Sequence, residues 1–119
     1  MTLPWLPTLV VLAALAAPVS AEAHAILIQS DPAIGATVKA GLVAIRLRYN
    51  SRIDRGRSRL TLNRPDKTQT VLPIGRDGAD DTLATTAELP RGDYVLRWQV
   101  LAVDGHITRG DVPFTVTEP

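Results

Sequence analysis

The chain has 119 residues, of which 13 are basic and 12 acidic, with two histidines and no cysteine. Its formal net charge of +1 is too small to favour nucleic acid as a partner. Without cysteine, a disulfide framework and a thiolate metal site are both excluded. The length predicts one domain with a single modest core.

The N-terminal segment 1–23 differs in composition from the rest of the chain. Most of it is one apolar run, short for a membrane span, and it ends in A-E-A, the A-x-A form of a signal-peptidase site. We predict a cleaved signal peptide over 1–23 and an exported, periplasmic domain over 24–119. His24 would then be the first residue of the domain, whereas a rival cut after Ala21 would place it third.

Seven short segments of the domain have the apolar pattern of strands, most with the strict alternation of a half-buried strand. Turn-forming residues separate them at intervals of roughly 8–12 residues, and no helical period is present. The segments are 25–29, 42–49, 60–62, 70–74, 82–89, 94–100 and 112–116. The pattern predicts an all-β fold, a Greek-key antiparallel β-sandwich or small barrel of about seven strands.

Two segments carry further expectations. Pro73 interrupts the strand predicted over 70–74, which places that strand at a sheet edge. The polar segment 50–58 is predicted to be a loop, and the four arginines within 52–59 are interpreted as a solvated surface. Docking of these arginines on an acidic partner or an anionic membrane is the alternative.

All four aromatic residues of the domain fall on the inward phase of their strands. They are Tyr49, Tyr94, Trp98 and Phe114. We therefore predict that they pack in the core, which leaves no flat aromatic surface for stacking sugar rings or bases. Carbohydrate and single-stranded nucleic acid are disfavoured as ligands.

The two histidines indicate a candidate metal site. After cleavage, His24 would offer a free α-amine and ring Nδ1, which together close a chelate on one ion. Asp104 and His106 lie two residues apart, so an extended backbone would project both to one side. Alternatively, Asp104-Gly105 forms the tight part of a hairpin. Three nitrogens and one oxygen suit Cu(II).

Residues at both ends of the domain match a known family in order and spacing. They are His24-Ala25, Ser30-Asp31-Pro32-Ala33, Gly35-Ala36, Gly92-Asp93-Tyr94-Val95, Trp98, Asp104-Gly105-His106, Gly110 and Phe114-Thr115-Val116. With these residues, essentially the whole domain resembles the CopC family of copper-resistance proteins. The resemblance implies a periplasmic cupredoxin-like or Ig-like β-barrel that binds Cu(II) through His24, Asp104 and His106.

The resemblance also implies a partner, an inner-membrane copper transporter of the CopD type. Some members of the family hold Cu(I) in a methionine-rich loop, but the one methionine of this chain is Met1. We therefore predict a member that binds Cu(II) alone.

Three functional hypotheses remain at this point: a copper carrier without enzymatic activity, a small copper-dependent oxidase using the same N-terminal histidine, and an Ig-like interaction module without metal. If Asp104 fills the fourth metal position, no position stays open for oxygen chemistry. No candidate nucleophile lies beside either histidine. The carrier is favoured, with no catalytic residues and no small-molecule substrate.

Overall fold

The structure is a computed structural model that describes residues 24–119. The predicted signal segment 1–23 lies outside the described residues. Eight strands make up the described part: β1 (Leu27–Asp31), β2 (Thr37–Lys39), β3 (Gly41–Tyr49), β4 (Ile53–Asn63), β5 (Gln69–Leu72), β6 (Thr82–Leu89), β7 (Gly92–Ala102) and β8 (Ile107–Thr117). Among these residues, no helix is long and apolar enough to cross a membrane.

The strands form two sheets that face each other across one core. The first has the order β1-β3-β6, and the second has the order β2-β8-β7-β4-β5. Alternate side chains of β3, β7 and β8 are buried between the sheets, as the period of two in the sequence predicts. The predicted all-β sandwich is confirmed.

The four aromatic side chains pack in this core as predicted. The rings of Tyr49 and Trp98 meet edge to face with centroids 5.2 Å apart, and those of Tyr94 and Phe114 stack at 5.6 Å. The Tyr94 hydroxyl donates a hydrogen bond to the Pro90 carbonyl oxygen at 2.6 Å. Each aromatic ring therefore joins neighbouring strands or opposite sheets instead of facing solvent.

One expectation about the strands needs correction, and another is confirmed. The short strand β2 was not predicted, and it pairs in parallel with the end of β8, so the fold is not wholly antiparallel. Three residues are too few to show a period in the sequence. The edge position predicted for the strand over 70–74 is confirmed, because β5 lies at the edge of its sheet. The strand itself covers Gln69–Leu72 and ends directly before Pro73.

The prediction of a loop over 50–58 is wrong for most of its length, because β4 begins at Ile53. Its pairing with β7 is irregular between Asp54 and Arg59, where the burial alternation is also lost. The interpretation of the arginines as solvated fails at Arg55. Its guanidinium donates to the carbonyl oxygens of four residues before and at the start of β6: Arg76, Gly78, Ala79 and Thr82.

The close packing of Trp98 on Gly110 gives a prediction for stability. A Cβ atom at Gly110 would lie 2.6 Å from Trp98 Cε2, and the ring cannot retreat because Tyr49 packs against it. Gly110→Ala should lower the free energy of unfolding by about 1–3 kcal/mol, measured by urea denaturation. Gly56→Ala is the control, since its Cβ would meet nothing closer than 3.5 Å. Equal losses in both variants would contradict this packing argument.

Candidate metal centre

The hairpin turn between β7 and β8 carries two of the three predicted metal ligands. The amide of Gly105 donates to the Ala102 carbonyl oxygen, and the amide of Ala102 donates to the His106 carbonyl oxygen, each at 2.9 Å. Gly105 has a φ of 92°, a conformation that glycine adopts without steric cost. The backbone of the turn therefore fixes the positions from which the Asp104 and His106 side chains project.

Asp104 and His106 are joined by two contacts within this turn. The backbone amide of His106 donates to Asp104 Oδ1 at 3.0 Å, and His106 Nδ1 lies 3.2 Å from Asp104 Oδ2. The extended backbone considered from the sequence is thus wrong, and the hairpin alternative is confirmed. The two side chains converge because the aspartate bonds the amide two residues ahead, as in an Asx turn.

The carboxylate of Asp104 is held in its charged form. The hydrogen bond from the His106 amide lowers the pKa of Asp104 below its ordinary value, and the nearby His106 and His24 side chains lower it further. At neutral pH, the turn thus presents an ionised carboxylate. The same carboxylate lies 3.2 Å from His106 Nδ1, so it also holds the imidazole ring at this end of the turn.

His24 reaches this turn from the other end of the domain. Its ring lies edge to face against that of His106, with centroids 4.9 Å apart and an interplanar angle of 77°. Both side chains are exposed. The structure therefore brings together His24, Asp104 and His106, the three residues selected from the sequence, although 80 positions separate the first from the second.

The segment that follows His24 is anchored by neighbours that the sequence did not single out. Ala25 is buried to 2% exposure, and its carbonyl oxygen accepts a hydrogen bond from Thr108 Oγ1 at 2.9 Å. The amide of Ile26 donates to Asn50 Oδ1 at 2.8 Å, and the amide of Asn50 donates to the Ile26 carbonyl oxygen at 3.0 Å. Nothing in the local pattern marks Thr108 or Asn50, because both contacts are long-range.

The three side chains do not form a metal site by themselves, so a copper site here needs a further donor, for which the backbone nitrogen of His24 is the candidate. Within residues 24–119, no three His, Cys, Asp or Glu side chains are grouped so as to hold a metal by themselves. Two imidazoles 4.9 Å apart can share one ion, since each metal–nitrogen bond is about 2 Å long. The carboxylate oxygens of Asp104 keep lone pairs beyond those used by His106. A free His24 amine would complete three nitrogens and one oxygen.

Comparisons with known proteins agree with this architecture. Protein YobA of Escherichia coli K12 is 33% identical over 101 residues, which cover 82% of each chain, and the YobA protein of Shigella flexneri matches equally well. The crystal structure of CopC from Methylosinus trichosporium OB3b superposes with a TM-score of 0.73 at 24% identity, covering 80% of this chain and 95% of that one.

The crystal structure of PcoC, a methionine-rich copper resistance protein from Escherichia coli, has a TM-score of 0.65 at 22% identity. The match covers 79% of this chain and 99% of PcoC. At these identities, the two solved structures show likeness of fold. Family membership rests on the sequence, since the family model described as the CopC domain matches residues 27–117, nearly all of the sandwich. The chain belongs to the CopC family.

Proposed function

We propose that this protein is a periplasmic copper carrier that binds Cu(II) through His24, Asp104 and His106 and buffers or delivers it. The observation that carries the proposal is the contact between the two imidazole rings, whose centroids lie 4.9 Å apart. The chain has only these two histidines, and the fold places both beside one ionised carboxylate.

Family membership supports copper as the cargo. The relatives of known structure include CopC itself and PcoC, which is a copper resistance protein. PcoC is rich in methionine, whereas the one methionine of this chain is Met1. Nitrogen and carboxylate donors without sulfur favour Cu(II) over Cu(I). A role in copper resistance or homeostasis with Cu(II) as the bound ion follows.

Export and processing are part of the proposal. Cleavage after Ala23 converts the backbone nitrogen of His24 from an amide into an amine, which has a lone pair for a metal ion, whereas an amide must first lose its proton. Export places the protein in the periplasm, where an inner-membrane transporter of the CopD type would receive or supply the ion. Removal of the predicted signal peptide thus creates the fourth donor, the α-amine of His24.

A carrier agrees better with the site than an oxidase. If the His24 amine, the two rings and Asp104 all bind the ion, no equatorial position stays open for oxygen. The aromatic rings of the described domain pack inside the sandwich, so they form no platform for a sugar polymer. An interaction module without metal gives no account of the two histidines and the carboxylate converging at one end of the fold.

The first test concerns the chain terminus. Protein beginning at His24 should bind Cu(II) at least about tenfold more tightly than the same protein acetylated at the His24 amine, because acetylation turns the amine into an amide and introduces no new amine. Competition titration against a chelator of known affinity measures the difference. Thermal unfolding of the two metal-free proteins controls for folding, and equal affinities would refute the role of the terminus.

The second test removes the side-chain donors. His106→Ala should remove one nitrogen ligand, and Asp104→Asn should lower Cu(II) affinity roughly 10–100-fold and change the copper EPR parameters. The side-chain oxygen of asparagine can still accept the hydrogen bond from the His106 amide, so the turn keeps its conformation and only the negative charge of the carboxylate is lost.

The matched control for Asp104 is Asp66→Asn. Asp66 Oδ1 also accepts a backbone amide two residues ahead, that of Thr68 at 3.0 Å, and its pKa is likewise lowered, chiefly by bonds from Thr68. Copper binding should be unchanged in this variant, because Asp66 lies in a turn that holds no histidine. Unchanged EPR spectra in both site variants would exclude the turn from the copper site.

The third test is pH dependence. Imidazole and α-amine nitrogens bind metal ions only when unprotonated, so binding releases protons and Cu(II) affinity should fall steeply as the pH is lowered from 7 to 5. The pKa of Asp104 is lowered, so its carboxylate stays charged throughout this range and takes up no proton. Asp104→Asn should therefore show weaker binding but the same slope. An affinity independent of pH would exclude the nitrogen donors.

A further inference from the structure

We propose that Asn50 and Thr108 are positioning residues that hold the terminal histidine beside His106. We call these two residues the N-terminal clamp. This inference rests on the proposed function for its purpose, but the ordering of the terminus can be measured without metal. The hydrogen bonds that these two residues make to the terminal segment go to the backbone of Ala25 and Ile26, so the clamp acts through that backbone.

The need for a clamp follows from where the regular pairing of β1 begins. The first residue of β1 paired with β3 is Leu27, which lies opposite Tyr49. Residues 24–26 therefore lie outside the strand, and chain ends without anchors fray. A ligand on such an end would have to be ordered when the metal binds, which weakens the affinity.

Asn50 extends the anchoring of the chain one residue beyond the end of the ladder. Its side-chain oxygen accepts the Ile26 amide at 2.8 Å, and its own amide donates to the Ile26 carbonyl oxygen at 3.0 Å. One residue thus satisfies both backbone groups of Ile26 in the manner of a strand partner. Asn50 directly follows β3, so this half of the clamp belongs to the three-stranded sheet.

Thr108 supplies the half of the clamp that belongs to the five-stranded sheet. Its hydroxyl donates to the Ala25 carbonyl oxygen at 2.9 Å, and the Ala25 side chain is buried beside it in the core. Thr108 lies in β8 two residues after His106. Ala25 directly follows His24 in the chain, so its carbonyl group is only a few covalent bonds away from the histidine. The hydrogen bond therefore sets the spacing between His24 and His106 through a few covalent bonds on each side.

A matched pair of threonines on β8 allows a sharp test. Thr117 also donates its hydroxyl from β8 to a backbone carbonyl oxygen on another segment, that of Val38 in β2 at 3.3 Å. Thr108→Val and Thr117→Val each remove one such bond and keep a β-branched side chain suited to the strand. Thr108→Ser retains the hydroxyl, and Asn50→Ala removes the other half of the clamp.

The first measurement is hydrogen exchange of the Ile26 amide in metal-free protein that begins at His24. In Thr108→Val, this amide should exchange about tenfold faster or more, because residues 24–26 open locally without global unfolding. Thr117→Val and Thr108→Ser should exchange at the wild-type rate. Unchanged exchange in Thr108→Val, or an equal increase in Thr117→Val, would overturn the clamp.

The second measurement is Cu(II) affinity and the EPR spectrum of the same variants. Thr108→Val and Asn50→Ala should bind copper roughly 10–100-fold more weakly, as variants of outer-shell residues do, while Thr117→Val binds normally. Wild-type affinity in Thr108→Val would overturn the positioning role. If the wild-type protein binds no copper, the proposed function fails, and the Ile26 exchange still decides whether the clamp orders the terminus.

Discussion

The candidate site depends on one constraint, which is that the start of the domain must lie against the β7–β8 hairpin. The buried methyl group of Ala25 and the hydrogen bond from Thr108 to its carbonyl oxygen meet this constraint. The hydrogen bond joins the first described residues to β8, the last strand of the chain. The β-sandwich brings these distant segments together because β1 and β8 lie in facing sheets.

Much of the fold was predictable because the alternation of side chains reports burial directly. The strands β3, β7 and β8 face the core on one side, and every second residue in most of their length is apolar. Strands whose burial does not alternate were not predicted correctly. The start of β4 is polar on both faces around its irregular pairing, so Arg55 and its neighbours looked like a loop. The short strand β2 offers too few residues for any period.

The site was predictable in a different way. Local spacing indicated that Asp104 and His106 act together, and the glycine between them indicated a turn as one alternative. The proximity of His24 to His106 is a tertiary contact across 82 positions, which no local pattern contains. It was expected because the chain has only two histidines, one of them beside a carboxylate, and because the resemblance to the CopC family implied it. Neither the local pattern nor the resemblance indicated the clamp residues Asn50 and Thr108. Polar residues near strand ends are common, and the partners of these two are backbone groups, which leave no mark in the sequence.

The contacts between the side chains of the candidate site are too exposed to solvent to order the site by themselves. The side chains of His106 and Asp104 keep 55% and 32% of their surface in solvent, so water screens their attraction and the pair adds little stability. The order of the site must come from the surrounding backbone, namely the hydrogen bonds of the hairpin turn and those at Ala25 and Ile26. The proposed carrier would benefit from this division, because its donors would stay accessible for exchange of the ion while the framework that spaces them remains fixed.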